Sequence, residues 1–184
     1  VKEVQKEFEA LVLEAVKKYK SGSPKEDTTT LGPMARKDLR LHLHEQVQKA
    51  IAQGARCLAG GQLPLGPGFY YPITILLDVK PSSKAFEEEL FGPVICITPA
   101  EDEAHAIELA NQSEYGLAAA VFTEDKSRGE AIARKINVGT CAVNTLVSSH
   151  PKLPFGGIKH SGFGRELSVE GMREFMNIKS VVVA

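Results

Sequence analysis

Cysteine is scarce in this 184-residue chain. The three residues, at positions 57, 96 and 141, are an odd number, lie far apart and include no Cys-x-x-Cys pair. That excludes a disulfide framework and a thiolate zinc site, and it makes a reducing, cytoplasmic setting the default. A surplus of charge is also missing. The formal net charge is -1 with 24% charged residues, so no field would steer nucleic acid or an anionic membrane to the surface. No apolar run approaches the roughly 20 residues of a membrane span. No metal site is expected, because the run from His44 to Gln48 is not HExxH, and His105 and His160 stand alone. His42 and His44, two apart on one expected helix, face different ways and read as solvated side chains. Neither GxGxxG nor GxxxxGK[ST] occurs. Val1 is preceded by no initiator Met and followed by no apolar leader, a start that suits a piece cut from a longer chain.

What is present is enough for one domain. Hydrophobic residues make up 43% of the chain, which suffices for a real core. Val4, Phe8, Leu11, Val12, Ala15, Val16 and Tyr19 recur at helical spacing, predicting an amphipathic helix over about 2–20. Leu39, Leu43, Val47 and Ile51 predict a second over about 35–53, with Gly54 placed to stop it. Cys57 to Ala59 reads as a short buried strand, and Tyr70, Ile73, Ile75 and Leu77 alternate like another. From Val94 onward the pattern is regular. Apolar strands over 94–98, 117–122 and 140–144 alternate with helices over 102–111 and 124–136. Such alternation predicts an α/β fold, a parallel twisted sheet with flanking helices and right-handed crossovers. Ligands gather at the carboxyl ends of such strands, here Pro99, Thr123 and Asn144-Thr145. A last helix is expected over 165–177. Ser180 to Val183, β-branched and terminal, reads as a strand free to pair with another chain.

Three blocks carry chemistry. The first is Glu87-Glu88-Glu89-Leu90-Phe91-Gly92-Pro93-Val94. An ionised carboxylate is acceptor-only and suits paired hydroxyl donors, although on its own the block is equally an acidic turn before a strand. The second is Tyr115-Gly116-Leu117-Ala118-Ala119-Ala120-Val121-Phe122-Thr123. The third, Pro154 to Glu166, is rich in glycine and contains Lys159 and Arg165. A phosphate loop is one reading of the third block, and a tight backbone crossing that needs glycine is the better one.

In this order the blocks resemble the C-terminal, catalytic-domain half of the aldehyde dehydrogenase superfamily. Leu31-Gly32-Pro33-Met34-Ala35-Arg36 and Glu174-Phe175-Met176-Asn177-Ile178-Lys179 look most like bacterial succinate-semialdehyde dehydrogenases. The resemblance implies a reaction in which a thiolate attacks the aldehyde, hydride passes to a nicotinamide, and a glutamate-activated water hydrolyses the thioester. It implies that Glu89 hydrogen-bonds the nicotinamide ribose and that Phe91 packs beside the ring. NAD and NADP stay equally open, since the adenosine contacts of the family lie upstream. Ser148, Ser149, Lys152 and Phe155 fall where the family builds its substrate pocket, the polar three being suited to an anionic tail. The nucleophile belongs to a Gly-Gln-x-Cys context that these residues lack, and the general base is likewise upstream. No catalytic residue is therefore assigned, and the 184 residues alone are expected to be inactive. Residues 1–178 correspond to the portion following the nucleophile and 179–184 to an oligomerisation strand, implying a homodimer or homotetramer. The alternative is a non-catalytic assembly or binding module on the same fold.

Overall fold

The computed structural model describes all 184 residues, which divide into two compact units, Val1–Ala106 and Ile107–Ala184.

In the first unit the organising element is β2 (Thr74–Leu77), whose four residues are all buried. It lies between β1 (Arg56–Ala59), to which it is antiparallel, and β3 (Val94–Cys96), to which it is parallel with Ile75 opposite Ile95. Successive strand side chains point to opposite faces, and each face has its own helix. Leu76 packs with Leu43, Val47 and Ala50 of α2 (Lys37–Ala52) and with Tyr71 and Val79. Ile75 and Leu77 face Ile97 together with Val12, Leu13 and Val16 of α1 (Lys2–Val16). Burying one Leu, Ile or Val contributes about 1.5–3 kcal/mol, so β2 alone anchors much of this unit. The chain reverses at Gly60, where φ is +72° and a Cβ would stand 2.4 Å from the Ile73 carbonyl oxygen.

Two expectations change here. The stripe read on α1 divides: Val12 and Val16 pack inward with Leu13, whereas Val4, Phe8 and Leu11 are each more than half exposed. The helix ends at Val16, short of Tyr19. His44 is not a solvated histidine, since its Nδ1 lies 3.2 Å from the hydroxyl of the buried Tyr71. Burial pushes that phenol up to about 12.

The second unit begins within α4 (Glu103–Gln112) and holds a βαβ element. β5 (Ala118–Val121) runs through α5 (Lys126–Ala133) into β6 (Thr140–Val143), and the two strands pair in parallel from Ala118↔Thr140 to Val121↔Val143. Asp125 caps α5 by accepting from the Arg128 amide at 3.0 Å. Gly129 lets the helix approach the sheet, because a Cβ there would meet Val143 Cγ1 at 2.6 Å. A separate antiparallel pair joins β4 (Tyr115–Gly116) to β7 (Ile158–Lys159). The α/β class and its parallel pairings are as expected, but the strands form three small sheets, and antiparallel pairs occur in two of them. The final helix is short, Ser168–Arg173, because Leu167 and Ser168 both have positive φ and delay its start. Beyond it, Val181, Val182 and Val183 are exposed and pair with nothing in the chain.

No helix is long and apolar enough to cross a membrane.

Candidate functional site

Each unit carries one of the two regions singled out in the sequence. In the first, the segment after α3 (Lys84–Glu87) turns at Glu88–Gly92 to enter β3. The turn is tight: the Gly92 amide donates to the Leu90 carbonyl at 2.8 Å, and the Val94 amide donates to that of Gly92 at 2.7 Å. It rests on α2. A Cβ at Gly92 would stand 2.3 Å from Leu43 Cδ2, so glycine is required for the backbone to lie on that leucine. Gln46, only 4% exposed, donates from Nε2 to Glu88 Oε2 at 3.0 Å and to the Glu89 carbonyl at 3.3 Å. The Gln46 bond, with Lys84 Nζ beside it at 3.4 Å, holds the Glu88 carboxyl below its usual range.

With its backbone fixed, Glu89 projects an exposed carboxylate that bonds to nothing in the chain. Phe91 is 76% exposed, an unusual state for a phenylalanine on a rigid turn. It borders a hollow of about 430 Å³ shared with Met34, Ala35, Leu39, Leu90 and Gly92. An acceptor-only carboxylate beside an open aromatic face and an apolar hollow fits a ribose carrying a flat heterocycle.

In the second unit, Asn144 fixes where the long loop leaves the sheet. It sits at φ +56° just past β6. Its Oδ1 accepts from the Thr123 amide at 2.8 Å and its Nδ2 donates to the Thr123 carbonyl at 2.7 Å. The carboxyl ends of β5 and β6 are thereby tied together. Beyond this root the side chains of Ser148, Ser149 and Lys152 are exposed and bond to nothing in the chain. The loop is ordered instead through His150 and Pro151: the Lys152 amide donates to His150 Nδ1 at 3.2 Å, the Leu153 amide to the His150 carbonyl at 2.9 Å, and the Ser168 amide to the Pro151 carbonyl at 3.1 Å. Phe155 is half-buried and exchanges two 2.8 Å backbone bonds with Glu166. It lines a hollow of about 370 Å³ with Leu117, Ser161 and Phe163.

Lys159 and Arg165 of the glycine-rich block are both spent on backbone carbonyls. Arg165 donates to the carbonyls of Gly157 at 3.0 Å and Gly164 at 2.6 Å. Lys159 donates to those of Asn111 at 3.0 Å and Ser113 at 2.7 Å. Neither is left for a phosphate, and a Cβ at Gly139 would lie 1.7 Å from the Gly156 carbonyl oxygen. The block is a backbone crossing.

Desolvation makes two of the three cysteine thiols, Cys96 and Cys141, harder to ionise. Desolvation by surrounding atoms pushes the Cys96 thiol up to about 11, although the side chain remains accessible, and it also raises Cys141. Thiols shifted upward stay protonated at neutral pH and react slowly.

Sequence reading missed Gln46 and Leu43 as supports of the Glu89 turn. A signal was there: Leu43, Gln46, Val47 and Ala50 follow helical spacing, so Gln46 is a polar residue on a buried stripe.

An α/β chain with these two regions matches the aldehyde dehydrogenase family model over residues 1–181. The chain belongs to the aldehyde dehydrogenase family. It is 51% identical over 162 residues to the NAD(P)+ succinate semialdehyde dehydrogenase Sad of Escherichia coli strain K12, a match covering 88% of this chain and 35% of that protein. It is 43% identical to the NADP(+) succinate-semialdehyde dehydrogenase of Deinococcus radiodurans, covering 98% of this chain and 38% of that one. The crystal structure of Mycobacterium tuberculosis aldehyde dehydrogenase complexed with NAD+ superposes with a TM-score of 0.93 at 36% identity, over 99% of this chain and 38% of that one. The chain thus spans little more than a third of the length of these relatives.

Proposed function

We propose that these residues are part of an enzyme that oxidises an aldehyde to its carboxylate with NAD or NADP, and that the aldehyde is succinate semialdehyde. The observation that carries the proposal is the Glu89–Phe91 turn, with its unpaired carboxylate and open aromatic ring on a backbone fixed from below. The nicotinamide, when bound, supplies the hydride acceptor. Glu89 accepts hydrogen bonds from the ribose hydroxyls, and Phe91 sets the edge of the hollow in which the ring lies. Orienting the ring in this way lowers the barrier by proximity. The exposed side chains of Ser148, Ser149 and Lys152, at the ligand edge of β5 and β6, hold the distal carboxylate of the substrate, and Phe155 forms a wall of its pocket. The names of the relatives support the choice of aldehyde.

The thiolate nucleophile and the general base are supplied from outside these 184 residues, so this chain alone yields no NAD(P)H. The free, β-branched tail at Ser180–Val183 supports pairing with a neighbouring subunit in a homodimer or homotetramer. The three free thiols suit the cytoplasm. The test is steady-state kinetics of the complete enzyme with succinate semialdehyde and with butanal, an uncharged aldehyde of equal length. A clear preference for the semialdehyde, diminished by Ser148→Ala, Ser149→Ala or Lys152→Ala, is expected. Equal kcat/KM for both aldehydes overturns the substrate assignment.

A further inference from the structure

We infer that Gln46 is a positioning residue for the dinucleotide, acting through the backbone and carboxylate of the Glu88–Glu89 turn. The inference rests on the reading of Glu89 as a ribose ligand. Gln46 stands on the buried stripe of α2 between Leu43, Val47 and Ala50. A primary amide among apolar side chains is costly unless its hydrogens are satisfied. Both partners of its Nε2 lie in one segment, the Glu88 carboxylate at 3.0 Å and the Glu89 carbonyl at 3.3 Å. Leu43, one turn earlier on the same stripe, meets the other end of that segment at Gly92. The two α2 residues therefore bracket the turn, with a polar clamp at its start and an apolar seat at its end. Between them are the two residues that project outward, Glu89 and Phe91. If Gln46 served the core alone, an apolar residue would fill its place without needing a partner. Its bonds fix the height and direction from which the Glu89 carboxylate leaves the surface.

The test is a double-mutant cycle in the complete enzyme. Gln46→Met keeps length and volume but removes both donated bonds. It should raise KM for the dinucleotide about three- to tenfold, the effect of one ordinary hydrogen bond, and leave KM for the aldehyde unchanged. In a Glu89→Gln background the same substitution should add no further rise, because the group it positions is already altered. If Glu89→Gln raises KM but Gln46→Met is silent, or if the two effects simply multiply, Gln46 supports only the fold and the positioning role is overturned. If Glu89→Gln is itself silent, the ribose reading falls and the positioning role with it. Should Gln46→Met fail to fold, Glu88→Gln carries the test from the surface. It weakens the same clamp and should raise dinucleotide KM in the same direction by a smaller factor, whereas an unchanged KM overturns the proposal.

Discussion

The Glu88–Gly92 turn and the Asn144–Lys152 loop both present polar side chains at the ends of strands, yet they are built in opposite ways. The turn is fixed along its length by Leu43 beneath Gly92 and by Gln46 beneath Glu88 and Glu89. The loop is held at its root, by Asn144 against Thr123, and near its far end, where the Ser168 amide donates to the Pro151 carbonyl at 3.1 Å, but its serine and lysine side chains bond to nothing in the chain. The contrast matches the two ligands proposed. A cofactor common to a family must be oriented to a fraction of an ångström for hydride transfer. A substrate tail needs only charge and hydrogen-bond complementarity, which a solvated loop supplies and can alter without disturbing the core.

Changes at the turn should therefore be the more damaging. The largest expected effect is from Glu89→Gln, which replaces a charge-assisted acceptor and loses on the order of 1.5–3 kcal/mol. Cofactor kcat/KM in the complete enzyme should fall roughly ten- to a hundredfold with little change in melting temperature. Next comes Gly92→Ala. The added methyl meets Leu43 Cδ2 at 2.3 Å, and that leucine, 1% exposed, is held in the core. A loss of about 1–3 kcal/mol in chemical denaturation is expected, together with a higher dinucleotide KM as Phe91 shifts. A variant that kept wild-type stability would show that the turn is not seated on α2.

Loop substitutions should act more weakly and on the other ligand. Ser149→Ala or Lys152→Ala should raise KM for succinate semialdehyde about two- to tenfold and leave both stability and the dinucleotide KM unchanged.

A further effect, confined to alkaline pH, concerns the core beneath the turn. Tyr71 titrates near 10 when unfolded, and burial moves it to about 12 in the fold. The unfolded chain thus releases this proton first. The stabilising contribution is complete below pH 10 and is lost as pH rises through about 12. Urea midpoints of the wild type should therefore fall between these values more steeply than those of Tyr71→Phe. Parallel curves would mean that the phenol is not held neutral by burial.

How much of this was legible in the sequence depended on whether the signal was local. The apolar spacing of Leu39, Leu43, Val47 and Ile51 located α2, the strand around Thr74–Leu77 followed from the alternation of Tyr70, Ile73, Ile75 and Leu77, although all four of its residues are buried, and those at Ala118–Val121 and Thr140–Val143 followed from their apolar runs. The residues facing outward at the turn form one contiguous block and could be read from it. What holds them in place could not, because Gln46 and Glu89 are 43 positions apart. The four residues of α3 are too few to show a period. The β4–β7 pair joins Tyr115 to Lys159 across most of the second unit, and no local pattern marks it. The final helix was expected to start at Arg165, but Glu166 is bridged to Phe155 and Leu167 and Ser168 have positive φ, which moves that start to Ser168.

The most direct test is to measure both ligands in both kinds of variant. In the complete enzyme, Glu89→Gln and the combined Ser148→Ala, Ser149→Ala, Lys152→Ala variant would each be assayed for dinucleotide KM and for the ratio of kcat/KM between succinate semialdehyde and butanal. A clean division is expected: Glu89→Gln raises the dinucleotide KM and keeps the aldehyde ratio, whereas the loop variant lowers the ratio and keeps the KM. A loop variant that weakened the dinucleotide while retaining its aldehyde preference would contradict it.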